Sequence, residues 1–401
     1  MSELTSRERF QAVMHFEPGV RTLDWEFAYW VGAVERWYGE GLKRTSFAHP
    51  PGLPAGSMAY AEALPGPNPS ILRFRDVDIH RRLSLDEGTI RVPLMWRFCP
   101  QRHEVVLEED ETSIVIVSGE GIKMRHRKDR DSVPHYLAGP VHDRASWEQV
   151  KADHFGLAPA DILARFPANW PALAPTYRDH DYPLGLVLDG FFSTPRELLG
   201  VEPHLMMYHD DPALLHNINA RLCDLWLAML EEVVANVDLD FVYFWEDMAY
   251  KNGPLISPKM FDEFVAPYYR RLTGFLRAHG VDVICVDTDG DCNRLIPGFV
   301  RAGVNGLYPF EAQAGMDIVK VRQAFPRLLI QGGIDKTKIA LGGAAIDAEL
   351  EAKLPPLLTQ GGYIPCCDHL VPPDVSWENF VYYRERVKDY IAKYPSRPAK
   401  R

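Results

Sequence analysis

The sequence predicts an α/β protein, a (β/α)8 TIM barrel with an N-terminal β-containing extension. Three observations carry this reading. From residue 184 onward, short apolar runs alternate with helical stretches, the pattern of a parallel sheet covered on both faces. At least six of those runs end on polar groups, as barrel strands do when the site lies on the C-terminal face. Upstream, Ile71–Arg75, Glu104–Leu107 and Ser113–Val117 read as extended runs joined by charged turns. A doubly wound sheet would share the alternation, but no G-x-G-x-x-G or Walker loop marks a nucleotide site.

Length and composition bound the function. The chain has 401 residues, 46% of them apolar and 11% aromatic, enough for a large core. A formal charge of −11 argues against nucleic-acid or anionic-membrane surfaces. No apolar run reaches membrane-spanning length, and the opening MSELTSRERF lacks a signal core, so a cytoplasmic location is expected. Six cysteines form no C-x-x-C pair and read as reduced thiols.

Taken in order, Thr5-Ser6-Arg7-Glu8 fits a capping box opening a helix with Phe10, Val13 and Met14 on its apolar stripe. Trp25-Glu26 follows, then an aromatic stretch, Tyr29–Tyr38, read as helical and ended by Gly39. Residues 46–69, rich in Pro, Gly and Ala, read as a long loop. Lys123–Asp131 reads as a charged solvated loop or as a lid carrying cations. These parts, residues 1–145, are expected to pack on the barrel, whose main part is residues 146–401, as one integrated domain.

Leu184–Leu188 is a buried strand ending at Asp189-Gly190. Pro212 starts a helix of about 25 residues that runs to Ala235. Asp240–Phe244 is a strand ending at Trp245-Glu246-Asp247. Ser257-Pro258 starts a helix that Gly280 closes. Val281–Val286 is the next strand, and it runs into Asp287-Thr288-Asp289-Gly290. Asn305–Tyr308 ends at Phe310-Glu311, and Leu328–Ile330 at Gln331-Gly332-Gly333. Gly362–Pro365 runs into Cys366-Cys367-Asp368-His369.

Asp287 and Asp289 are the focus. Side chains alternate along a strand, so both carboxylates point the same way while the run stays extended. Two carboxylates about 4 Å apart repel by roughly 4 kcal/mol at an effective dielectric near 20. Solvent, a shared proton, a basic side chain or a metal ion must relieve that. Helix capping is the plainer role open to each aspartate.

These segments resemble the uroporphyrinogen decarboxylase superfamily, which also contains cobalamin-dependent methyltransferases. The resemblance rests on Phe244-Trp245-Glu246-Asp247, then Leu255-Ile256-Ser257-Pro258, Phe261 and Pro267-Tyr268. Gly306-Leu307-Tyr308, Gly333-Ile334-Asp335, His369-Leu370-Val371-Pro372 and Asn379-Phe380 continue it in order. It covers residues 184–385 well. The decarboxylases' arginine-rich segment is replaced here by Trp25-Glu26-Phe27-Ala28-Tyr29-Trp30. An acidic pocket suits no polyanionic porphyrinogen. The methyltransferases' His-x-Cys-Gly zinc motif is replaced by Asp287-Thr288-Asp289-Gly290.

The resemblance therefore implies a divergent methyltransferase-like enzyme acting on a small molecule. A divalent ion, zinc first and manganese second, would be held by Asp287, Asp289, His369 and Cys367. Glu246, Asp247 and Glu311 would act as acid or base. Trp25, Tyr29, Trp30 and Asp189 would contact substrate. The methyl partner would be a corrinoid on a separate protein, and a homodimer is compatible with the family. A cofactor-free decarboxylase of a smaller or less anionic substrate, and a non-catalytic ligand-binding barrel, are the alternatives.

Overall fold

The computed structural model describes residues 4–45, 77–128 and 134–398. The loop expected at 46–69, the run Ile71–Arg75 and the end of Lys123–Asp131 lie outside the described residues.

Thirteen strands are described: β1 (Ile90–Arg91), β2 (Val105–Glu109), β3 (Ser113–Val117), β4 (Lys123–Arg127), β5 (His135–Ala138), β6 (Leu184–Asp189), β7 (Phe241–Trp245), β8 (Ala249–Tyr250), β9 (Gly253–Pro254), β10 (Val283–Asp287), β11 (Gly306–Tyr308), β12 (Leu329–Gln331) and β13 (Tyr363–Ile364). Seven form one parallel sheet in the order β1-β6-β7-β10-β11-β12-β13. That sheet, with helices between its strands, is the predicted TIM-barrel architecture.

Alternation sorts its side chains. Phe241, Tyr243, Val283, Cys285, Tyr308, Leu329 and Ile364 turn inward into one buried cluster. Leu184, Leu186, Leu188, Val242, Phe244, Ile284 and Val286 turn outward against the helices in another. Burying each such aliphatic or aromatic side chain contributes about 1.5–3 kcal/mol.

The N-terminal residues are built into this wall rather than only laid on it. Helix Ser6–Met14 carries the expected capping box, with Glu8 N–H donating to Thr5 Oγ1 at 3.1 Å. Its Phe10, Val13 and Met14 pack on the inner cluster. The extended residues 22–29 stand between the two edge strands. Thr22 donates to the Tyr363 carbonyl in β13, Asp86 N–H donates to the Asp24 carbonyl just before β1, and Tyr29 bridges Val371. Leu23 and Trp25 face the inner cluster. Buried Arg384 of helix Trp377–Lys393 holds Asp24 and Glu26 from behind.

The sequence reading needs three adjustments. The charged segment from Lys123 is a strand in its described part, paired with β3 and β5, because cross-strand partners such as Ile116 opposite Met124 give it a sheet to join. The helix expected from Ser257 to Gly280 is two, Pro258–Phe264 and Ala266–Ala278, since Pro267 has no N–H to continue the ladder. Strand β1 has too few residues to leave a periodic signal. No helix among the described residues is long and apolar enough to cross a membrane.

Candidate active site

Strand β10 delivers the site. Asp287 ends it, in register with Trp245 of β7 and Tyr308 of β11. Thr288 is buried, and its hydroxyl accepts from Met248 N–H at 3.2 Å. Gly290 then turns the chain at φ +74°, and a Cβ there would lie 2.5 Å from the Ala249 carbonyl oxygen. Glycine is required there on both counts. Its N–H donates to Glu311 Oε2 at 3.0 Å, which ties the end of β11 to the end of β10.

Four of the expected residues meet at this mouth. His369 Nε2 lies 3.3 Å from Asp289 Oδ2. Asp247 sits at the end of β7 in the left-handed region, φ 41°, a strained position for a non-glycine residue. Its carboxyl receives the Asp289 backbone N–H and lies 4.0 Å from the Arg196 guanidinium. Glu311 Oε1 accepts from Lys336 Nζ at 3.1 Å. Asp247, Asp289 and Glu311 line a cleft of about 980 Å³, roofed on one side by Tyr136 and its neighbours on β5.

Electrostatics follow from crowding. Burial pushes the Asp247 carboxyl up to about 7, and the Asp289 charge adds to it while Arg196 opposes it. Asp287 is held well above the carboxylate range by burial, then by Asp289 and Asp247. Burial disfavours charge on His369, but the Asp289 hydrogen bond and charge outweigh it, so its pKa is raised. The cations Arg196, beside Asp247, and Lys336, beside Glu311, offset the repulsion.

Other expected residues stand elsewhere. Glu246 is fully buried and accepts four hydrogen bonds, from the N–H groups of Phe191, Phe192 and Ser193 and from Tyr269 Oη. It anchors the turn after β6, so both oxygens are committed and the acid–base role assigned to it falls away. Asp189 is buried under the mouth, accepting from Trp96 Nε1 at 3.1 Å and from Arg97. Arg97 also meets Glu120 at 3.0 Å and Glu197 at 2.6 Å, so three carboxylates enclose one guanidinium. Burial, then the neighbouring carboxylates, pushes Glu197 up to about 7 against the pull of Arg97. Tyr29 is buried against Trp37 and Phe380, and Trp25 Nε1 donates to the Glu87 carbonyl. Trp30 is the one of the three aromatic residues whose ring approaches His369, at 6.4 Å.

The four expected metal ligands do not converge. Asp287 faces the barrel interior, where the Tyr308 hydroxyl bonds it. The Cys367 thiol turns to Asp368, its backbone N–H donates to Glu26, and burial keeps the thiol protonated. Among the described residues no group of three or more His, Cys, Asp or Glu side chains is arranged to hold a metal ion. The residues present therefore do not fit the divalent ion expected from the sequence.

Sequence reasoning missed Arg97, Arg196 and Arg91. Arg97 and Arg196 flank the Trp245 ring, their guanidinium carbons 5.3 and 5.1 Å from its centroid. Trp245 was legible at a strand end, but its cationic partners lie 148 and 49 residues upstream, beyond any local pattern.

Compared with curated protein sequences, the chain has no significant match. Among solved structures it is similar to a methyltransferase from Methanosarcina mazei, with a TM-score of 0.56 at 16% identity over 96% of this chain and 100% of that one. The IOLI protein with a bound zinc atom aligns at a TM-score of 0.30 and 12% identity over 63% of this chain and 87% of that one, too low to bear on fold or function. The model of the uroporphyrinogen decarboxylase (URO-D) family matches residues 136–390. That match spans both sides of the mouth, from β5 to the C-terminal helix, and the chain belongs to the uroporphyrinogen decarboxylase family.

Proposed function

We propose that the protein is a methyltransferase-like enzyme that removes a methyl group from an oxygen of a small substrate, with Asp247 as the general acid. The observation that carries this is the placement of Asp247: strained, facing a large cleft, and joined to Asp289 and through it to His369. An alkoxide or phenoxide is a poor leaving group, so a positioned acid is worth about 10²–10⁴ in rate. The carbon–oxygen bond breaks with its electron pair going to oxygen, and that oxygen takes the Asp247 proton. The methyl group passes to an external nucleophile, for which a corrinoid on a separate protein is the acceptor the resemblance implies. His369, hydrogen-bonded to Asp289, resupplies the proton. The acidic cleft favours neutral or cationic methyl donors over polyanions, and the methyltransferase of similar fold supports the same branch.

The test uses the full chain with reduced cobalamin and a panel of O-methyl compounds, read by mass spectrometry. Acceptor-dependent release of the demethylated product is expected. Acceptor-independent release of carbon dioxide from a carboxylic acid would overturn the reading in favour of the decarboxylase alternative.

A further inference from the structure

The short stretch 190–196, which turns from β6 into helix Ser193–Leu199, grips the end of β7 residue by residue. The Trp245 carbonyl accepts from Gly190 N–H at 2.8 Å and from the Ser193 hydroxyl at 2.6 Å. The Glu246 carboxylate accepts from the N–H groups of Phe191, Phe192 and Ser193. Gly190 admits that carboxylate, since a Cβ there would stand only 1.9 Å from Glu246 Cδ. One turn into the helix, Arg196 reaches the third residue. Its Nη1 donates to the Asp247 carbonyl at 2.5 Å, and its Nη2 stands 4.0 Å from the Asp247 carboxyl. The same guanidinium lies 5.1 Å from the Trp245 ring centroid.

Of the three residues, Asp247 is the one whose backbone needs holding. Its φ of 41° lies in the left-handed region, which costs an L residue about 5–30-fold in its conformational equilibrium. Such a conformation persists only where the surroundings over-determine it. The residues on either side are fixed: Glu246 N–H donates to the Asp287 carbonyl at 2.8 Å, and Met248 N–H to the Thr288 hydroxyl at 3.2 Å. Between them the Asp247 carbonyl has Arg196.

We propose that Arg196 is the positioning residue for Asp247: its guanidinium holds the strained backbone of that residue and so keeps the carboxyl aimed into the cleft. The two distances separate this role from simple charge pairing. The tight contact is to the main-chain carbonyl, whereas 4.0 Å to the carboxyl makes only a loose ion pair. The planar fork allows one side chain to face both groups at once, which a lysine ammonium on a thinner stem does not reproduce. The helix that carries Arg196 is itself tied to Trp245 and Glu246, so the guanidinium arrives from a fixed base. That Asp247 acts as an acid rests on the proposed function; the grip on it does not.

The test is Arg196→Lys in the full chain, which keeps the charge and loses the fork. A crystal structure of the variant should show Asp247 out of the left-handed region and its carboxyl turned from the cleft. With a demethylated substrate in hand, kcat should fall about 10–100-fold while KM stays within about twofold. An Asp247 backbone unmoved in the variant would overturn the proposal. So would a raised KM at unchanged kcat, which would make Arg196 a substrate-binding group instead. Nitrogen NMR of the wild-type chain needs no variant to fold: a gripped guanidinium shows its two Nη atoms as distinct signals, and freely exchanging ones would overturn the proposal too. Absence of methyl transfer from the wild-type chain would count against the proposed function alone, since the crystal structure and the NMR signals still decide the grip.

Discussion

Two acidic clusters lie near Trp245, each with an arginine close to its ring, and they use the same residue types for different ends. In one, Asp189, Glu197 and Glu120 close around Arg97, with Asp189 and Glu197 only 2% and 6% exposed. In the other, Asp247 and Asp289 face a cleft with His369 and Arg196 beside them. Each contains a carboxyl pushed up to about 7 by burial, Glu197 and Asp247 respectively. A raised pKa therefore does not distinguish catalysis from architecture here. Access does: the first cluster is spent on its own guanidinium, and the second opens on space large enough for a substrate.

Breaking the closed cluster should have the largest effect on stability. Arg97→Met leaves three buried carboxylates without their cation, and a loss of about 3–5 kcal/mol is expected in chemical denaturation. An unchanged midpoint would mean that the cluster is not what holds β6 to the segment around Arg97.

The open cluster should respond in the opposite way. Asp247→Asn should lower turnover about 100-fold or more while leaving the denaturation midpoint nearly in place. Comparable losses of stability in both variants would erase the distinction between the clusters.

The smallest effect sharpens the comparison through pH. Asp247 and Glu197 bind their protons more tightly folded than unfolded, where a carboxyl titrates near 4. The stability they contribute is complete below about pH 4 and is lost as pH rises through about 7. Denaturation midpoints should therefore fall across this window, and less steeply in Glu197→Gln. Turnover should also fall above about pH 7 as Asp247 loses its proton, and Glu197→Gln should leave that profile unmoved. A profile that shifts with Glu197 would join the two clusters into one titrating unit.

The barrel was legible because apolar strands of three to six residues recur with helices between them, as at Leu184–Leu188 and Val281–Val286. The meeting of Asp247, Asp289, Glu311 and His369 follows from each lying at or just past a strand's carboxyl end. What local pattern could not show was commitment. Glu246 and Asp247 are adjacent just past the end of β7, yet one is buried in four hydrogen bonds and the other, at φ 41°, lines the cleft. Cys367 and His369 likewise sit two residues apart, but the chain leaves the extended form after β13, so their side chains do not share a target. Arg91 escaped notice because a two-residue strand carries no period, and Arg97 because its partners come from three separate segments.

Helix Ser6–Met14 and residues 22–29 have consequences for biosynthesis. Val13, Thr22, Asp24 and Glu26 are secured by Gly362, Tyr363 and Arg384, more than 300 residues later. During vectorial synthesis at roughly 5–20 residues per second, the first-made segments must wait tens of seconds for those partners. Contacts of such sequence separation also form slowly, since loop closure precedes their reward. Phe10, Val13, Met14 and Trp25 thus lack part of their cluster, Ile364 included, until the last barrel strand has been made. Ribosome-bound chains stalled before Arg384 should be far more protease-sensitive than chains stalled beyond the end of that helix.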